Sequence, residues 1–123
     1  MSVSQNVSIR QNFDETSESM LNQLINVVCT RNYTYHGIAY YFDRVDIGLV
    51  GFASVFRLCA TYSRDLTHKM MDYCVLRGGH VVLREIPKPD SSVYTNPSET
   101  LEFLIQSFKD INDLAVSLHK VAD

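Results

Sequence analysis

Hydrophobic residues in the first third of the chain recur every three or four positions, the spacing of one face of an α-helix. This stripe comprises Met20, Leu21, Leu24, Ile25, Val28, Tyr35, Ile38, Ala39 and Phe42. Asp14 and Glu15 precede the stripe, and their charges suit the positive end of a helix dipole. The pattern predicts a first long helix over about residues 14–42.

A second stripe predicts a second helix over about residues 47–77, after a short connection at residues 43–46. Its apolar members are Leu49, Val50, Phe52, Ala53, Phe56, Cys59, Ala60, Leu66, Met70, Tyr73 and Cys74. Gly78 and Gly79 follow, and glycine adopts the left-handed conformation that ends many helices without a steric cost from Cβ. We therefore expect the second helix to end immediately before this pair.

A third helix, over about residues 96–123, has the clearest start signal in the chain. Asn96 is a good N-cap, Pro97 suits the first helical position, and Glu99 stands three residues after the cap. The apolar stripe that follows is close to a heptad pattern and is expected to face a core. It comprises Leu101, Leu104, Ile105, Phe108, Ile111, Ala115 and Leu118.

The connection between the second and third helices, residues 78–95, is long. At ~3.3 Å per residue it can span roughly 60 Å, whereas a helix of about 30 residues is only ~45 Å long. The connection can therefore cross the full length of a helix and leave the second and third helices parallel. A short link followed by a long crossover is typical of crossover four-helix bundles. We predict a single all-α domain over residues 1–123, with three long helices present and a fourth lacking.

Composition narrows the class of protein. A hydrophobic content of 46% in 123 residues supports one domain with a real core. Eleven basic and fourteen acidic residues give a net charge of −3, which does not favour nucleic acid or an anionic membrane as a partner. The chain shows neither a secretory signal nor an apolar run of membrane-spanning length. Three cysteines without CxxC spacing indicate free thiols, so we expect a cytoplasmic protein.

Six short motifs give the chain a specific resemblance. They are Arg10-Gln11-Asn12-Phe13, Ala39-Tyr40-Tyr41-Phe42-Asp43-Arg44, Gly51-Phe52-Ala53, Arg77-Gly78-Gly79, Ile86-Pro87-Lys88-Pro89-Asp90 and Leu118-His119-Lys120. In order and spacing the chain resembles eukaryotic heavy-type ferritin chains, without gaps from about residue 10 to residue 123. The resemblance implies a four-helix bundle with a long crossover, assembled as a hollow cage that stores iron.

The resemblance also implies where a di-iron oxidase centre would lie. Such a centre needs carboxylates and a histidine, which are suitable donors for iron. The family's ligand positions correspond here to Val28, Tyr62, Ser63, Leu66 and Phe108. Only a neighbouring tyrosine of the family is kept, as Tyr35. We therefore predict no catalytic residue and no ferroxidase activity, so that the chain is not an enzyme.

Two of these positions fall within apolar stripes. Val28 continues the stripe of the first helix, and Phe108 lies midway in the stripe of the third. A carboxylate buried at such a position would need a metal or a charged partner, and an apolar side chain removes that requirement. Val28 and Phe108 are therefore both expected to face the core.

Other metal candidates are weak. Asp65 and His68 stand three residues apart on the second helix, as a possible ligand pair or as part of an exposed polar face. His119 matches a family histidine near a channel, or is a surface histidine at a helix C-terminus. Tyr35 is expected to be a core tyrosine that bonds a neighbouring side chain. The positions at which the family nucleates mineral correspond to Leu58, Thr61, Tyr62 and Asp65, of which one is a carboxylate.

The sequence therefore predicts a catalytically silent, ferritin-like subunit associated with intracellular iron storage. Iron would be bound through assembly with other subunits, and this chain alone would hold none. The expected partners are other ferritin-like subunits, in a homo- or hetero-oligomer, with neither nucleic acid nor a membrane. The alternative is a truncated helical interaction protein that has lost iron handling and packs on ferritin chains or on itself.

Overall fold

The computed structural model of the protein describes residues 14–90 and 96–122. Within these ranges the chain forms three α-helices and no strand: α1 (Glu15–Phe42), α2 (Val50–Leu76) and α3 (Pro97–Ala122). The predicted all-α fold with three long helices is confirmed. None of these helices is long and apolar enough to cross a membrane. The first motif of the resemblance, residues 10–13, lies outside the described residues.

The N-terminal ends of α1 and α3 are set by local capping. The Asp14 carboxylate accepts a hydrogen bond of 2.7 Å from the Ser17 amide, which lowers the pKa of Asp14 because the bond favours the charged form. At the start of α3, Oδ1 of Asn96 accepts a hydrogen bond of 2.8 Å from the Ser98 amide. The N-cap predicted at Asn96 is therefore confirmed, and Asp14 is the N-cap of α1.

The second helix begins at Val50, three residues later than predicted. Gly48 has a φ of 70°, which lies outside the helical region, and the Ile47 amide closes a turn by donating to the Arg44 carbonyl at 3.0 Å. The predicted start at residue 47 is therefore wrong. Apolar spacing continues through the turn, and it cannot reveal a change in backbone conformation at a single glycine.

The end of α2 agrees with the prediction. Gly78 has a φ of 80°, and its amide donates to the Val75 carbonyl at 3.0 Å. The next amide, of Gly79, donates to the Cys74 carbonyl at 2.9 Å. These paired bonds form a Schellman motif, which satisfies carbonyls that the helix leaves without a partner.

The crossover connection lies along α1. The buried amide of Asn22 donates to the His80 carbonyl at 2.9 Å and accepts from the Val82 amide at 2.8 Å. Further along, Pro89 lies against Gly37, where an added Cβ atom would be 3.9 Å from the proline ring. The connection therefore runs in the same direction as α1, from its N-terminal part toward its C-terminal part.

The crossover leaves α2 and α3 parallel to each other, as predicted, and both helices are antiparallel to α1. Both helices pack against α1, and over the described residues the backbones of α2 and α3 do not approach each other closely. One core cluster comprises Tyr35, Ile38, Ala39, Phe42, Ala53, Phe56, Ala60 and Leu104. The other comprises Leu21, Leu24, Ile25, Val28, Met70 and Cys74. Because α1 contributes to both clusters, it forms the floor of a groove between α2 and α3.

The apolar stripe predicted for α3 is only partly buried. Leu104 is 8% exposed, whereas Ile105 and Phe108 are 57% and 48% exposed. The helix instead buries Thr100 and Ser107. In the described structure the backbone of α3 lies close to that of α1 alone, and one close neighbour covers only a narrow strip of the α3 surface. The prediction that Phe108 faces the core is therefore wrong, whereas the same prediction for Val28, which is fully buried, is confirmed.

Candidate functional site

A cavity of about 280 Å³ lies in the groove between α2 and α3, and we refer to it as the central cavity. Its lining residues are Val28, Tyr35, Cys59, Tyr62, Ser63, Leu66, Phe108, Ile111, Asn112 and Ala115. All five positions that correspond to ligand positions of the family line this cavity, and so does Tyr35. The structure therefore brings together residues from three helices that the sequence connects only through the resemblance.

Two α2 residues that line the central cavity, Cys59 and Ser63, offer no anionic donor. The Ser63 hydroxyl lies 2.9 Å from the Cys59 carbonyl and 3.1 Å from the Ala60 carbonyl. It also accepts a hydrogen bond of 3.0 Å from the Asn32 amide. Burial raises the pKa of the Cys59 thiol, so this thiol stays protonated at neutral pH.

Tyr35 is the most deeply buried polar group of the cavity, with 1% of its surface exposed. Burial raises the pKa of its hydroxyl because the phenolate would lose its hydration, and the Ser107 hydroxyl opposes this shift only in part. Neither the Tyr35 hydroxyl nor the Ser107 hydroxyl has a partner at hydrogen-bond distance and angle. The expected bond from Tyr35 to a neighbouring side chain is therefore present only as a weak interaction with the Ser107 hydroxyl, without full hydrogen-bond geometry. A buried hydroxyl without a partner is uncommon in folded proteins.

Arg31 and Asp110 connect α1 to α3 outside the cavity lining. Their side chains form an ion pair of 3.1 Å, and the Arg31 guanidinium lies 5.3 Å from the centre of the Phe103 ring. The sequence analysis did not identify this contact or the buried Ser107. The available signal for the buried face of α3 was the helical spacing of Leu104, Ser107 and Ile111. Because Ser107 is polar, a search for apolar stripes does not include it.

The central cavity does not fit a di-iron site. Iron is held in proteins mainly by carboxylate, imidazole and thiolate donors, and no carboxylate or imidazole lines this cavity. The thiol of Cys59 is the only sulfur donor of the lining, and its raised pKa disfavours the thiolate. Throughout residues 14–90 and 96–122, no three His, Cys, Asp or Glu side chains are grouped closely enough to hold a metal ion.

The weaker metal candidates do not line the central cavity. Asp65 is exposed and lies 3.6 Å from Arg64 in an ion pair between two exposed side chains. His68 borders a second cavity of about 550 Å³, which is open and also lined by Cys29 and Ile86. His119 borders a third cavity, of about 230 Å³, near the N-terminal end of α1. His119 and His68 therefore border different cavities, whereas Asp65 and His68 stand three residues apart on α2.

The comparisons with known proteins agree with this fold. Residues 18–123 match the ferritin family, described as a ferritin-like domain. Since this match covers most of the chain and the three helices have the expected crossover arrangement, the chain belongs to the ferritin family.

Curated relatives carry the same assignment. The chain is 38% identical to soma ferritin of Lymnaea stagnalis over 121 residues. These aligned residues make up 98% of this chain and 68% of that protein. It is 36% identical to the oocyte isoform of the ferritin light chain of Xenopus laevis, over 93% of this chain and 64% of the relative. It is 34% identical to the ferritin middle subunit of Salmo salar, over 93% of this chain and 65% of that protein. The chain spans about two thirds of the length of these relatives.

Proposed function

We propose that the chain is a catalytically silent ferritin-like subunit that serves cytoplasmic iron storage within an oligomeric assembly. Membership of the ferritin family supports the link to iron storage. The observation that carries the silent state is the lining of the central cavity, where apolar or weakly polar side chains occupy all five positions that correspond to ligand positions of the family. Iron is the stored substrate in this proposal, and other subunits of the assembly supply its oxidation.

The chemistry of iron oxidation explains why these side chains matter. A di-iron site must hold two cations and stabilise the growing charge of the ferric product, which requires anionic oxygen donors. Val28 and Leu66 have no donor atom, and Ser63 directs its hydroxyl to backbone carbonyls of its own helix. The isolated carboxylate of Asp65 is engaged with Arg64 at the surface. This set of side chains supports a structural role and not an oxidase role.

The direct test is aerobic oxidation of ferrous iron, followed by absorbance. We expect the purified chain to oxidise iron no faster than buffer, while an active ferritin in the same buffer confirms that the assay responds. The double variant Asp65→Asn with His68→Gln is the matched control, because it removes the candidate ligand pair of α2. A rapid phase that saturates near about two irons per chain would overturn the proposal.

The proposed assembly has its own measurement. Light scattering gives the mass of a sample in which the chain is mixed with other ferritin chains, and iron content is measured on the same sample. We expect the chain to enter a high-mass, iron-containing particle. If the chain stays outside such particles, its proposed place in iron storage is wrong.

A second candidate function is a helical interaction protein without iron handling. Large apolar side chains exposed on α2 and α3 favour it, among them Leu58 at 72%, Tyr62 at 66% and Ile105 at 57%. Exposed apolar surface of this kind commonly marks contact with another protein. In this case the chain would pack on ferritin chains or on itself, and the resulting complex would contain no iron.

A further inference from the structure

The central cavity combines three properties of a site for a small organic molecule. Its volume of about 280 Å³ exceeds the ~150 Å³ of an apolar cavity that holds a benzene-sized molecule. Its lining is mainly apolar and includes no charged side chain. It also contains one polar group that is buried and unsatisfied, the Tyr35 hydroxyl. Apolar walls with a few polar groups that fix orientation are typical of ligand pockets.

We propose that the central cavity binds a small, uncharged aromatic molecule that carries one hydroxyl or carbonyl oxygen. The aromatic ring lies between Leu66 of α2 and Phe108 of α3, and the oxygen accepts a hydrogen bond from the Tyr35 hydroxyl. This binding goes beyond the proposed role in iron storage and does not depend on it.

The Tyr35 hydroxyl explains why the ligand should carry an oxygen. A donor that is buried without a partner destabilises the folded state, and a ligand oxygen that accepts its proton removes that penalty. The Tyr35 side chain is held in place by the core, where its ring lies 6.2 Å from the ring of Phe56. The donor is therefore positioned before the ligand arrives, which reduces the entropy lost on binding.

The walls of the cavity explain the preference for an aromatic ring. Phe108 lines the cavity and is 48% exposed, so a ring placed against it removes apolar surface from water and forms an aromatic contact. Val28 and Ile111 provide further apolar contacts below the ring.

The electrostatics of the cavity explain the preference for an uncharged molecule. An ion that enters a largely apolar site loses hydration, and it needs an opposite charge in return. Arg31 and Asp110 are not part of the lining and form an ion pair, although Nε of Arg31 is buried without a hydrogen-bond partner. The Cys59 thiol is protonated at neutral pH and provides no charge. A carboxylate ligand of the same size is therefore expected to be rejected.

The test is a fluorine NMR titration of the purified chain with three probes of similar size. We expect para-fluorophenol to bind, and to bind roughly 3–10 times more tightly than fluorobenzene, which lacks the oxygen. We expect no binding of para-fluorobenzoate at the same concentrations. Tight binding of the benzoate, or no binding of the phenol, would overturn the proposal.

Three variants locate the bound probe. Tyr35→Phe keeps the ring and is expected to weaken para-fluorophenol by about 3–10-fold while leaving fluorobenzene unchanged. Ala115→Phe places a large side chain in the cavity and is expected to abolish binding of both probes. Tyr33→Phe is the matched control, because it removes a tyrosine hydroxyl that lines the separate 550 Å³ cavity.

Circular dichroism of each variant confirms that the helices are retained. Unchanged phenol binding in Tyr35→Phe, or an equal loss in Tyr33→Phe, would show that the probe does not use the central cavity. Iron oxidation is measured separately and without the probes, so failure of this proposal and failure of the silent-subunit proposal are distinguishable.

Discussion

Replacing Val28 by glutamate is expected to destabilise the protein strongly, whereas the same replacement at Phe108 is expected to have a small effect. Both positions correspond to ligand positions of the family and both line the central cavity. They differ in burial, because Val28 is 0% exposed and Phe108 is 48% exposed. The pair therefore compares one chemical change in two environments.

The burial of each residue sets the expected magnitude. Val28→Glu loses most of the roughly 1.5–3 kcal/mol gained by burying an aliphatic side chain, and it adds the cost of a buried carboxyl group without a partner. We expect a total loss of about 3–5 kcal/mol in the free energy of unfolding at pH 7. At Phe108 the introduced carboxylate can reach water and less apolar surface is lost, so we expect about 1 kcal/mol.

The effect of Val28→Glu is also expected to depend on pH. Burial without a positive partner raises the pKa of the introduced carboxyl above its unfolded value of about 4.3. The unfolded state then releases its proton at a lower pH than the folded state, so the free energy of unfolding falls as pH rises above that value. Near pH 4 the penalty is therefore smaller than at pH 7. Phe108→Glu is expected to show little such dependence.

Urea unfolding followed by circular dichroism at pH 7 and at pH 4 measures these differences. Val28→Gln is the matched control, because it has the same shape as the glutamate variant without a charge. Near pH 4 the two Val28 variants are expected to converge. Equal losses at positions 28 and 108, or a Val28→Glu loss that does not change with pH, would refute the reasoning.

Two further predictions concern the crossover and the exposed surface. Asn22→Ala is expected to lower the free energy of unfolding by about 1–3 kcal/mol, because the His80 carbonyl and the Val82 amide both lose their bond to this buried side chain. Hydrogen exchange at the Val82 amide should accelerate in this variant. Unchanged exchange would contradict the assignment of these bonds. The isolated chain is expected to self-associate at micromolar concentration, since apolar side chains of α2 and α3 such as Leu58 and Ile105 are exposed. Sedimentation measures this, and a stable, monodisperse species of 14.0 kDa would contradict it.

The sequence by itself determined the helices and most of their ends. Asp14, Asn96 and the Gly78-Gly79 pair act through hydrogen bonds within a few residues, so local sequence is sufficient to predict them. The start of α2 was not predictable in this way. The deciding feature there is the positive φ of Gly48, and the apolar pattern continues across it.

The sequence also predicted which side chains occupy the candidate site, through residues that correspond to the family's ligand positions. The tertiary structure decided how those residues are used. Val28 is buried because α1 is covered on two sides by α2 and α3, whereas Phe108 is half exposed because the backbone of α3 lies close to that of α1 alone in the described structure. Periodicity shows which face of a helix is apolar, but the neighbouring helices determine how much of that face is covered. The unsatisfied Tyr35 hydroxyl and the cavity beside it likewise depend on contacts among three helices, and no local pattern specifies them.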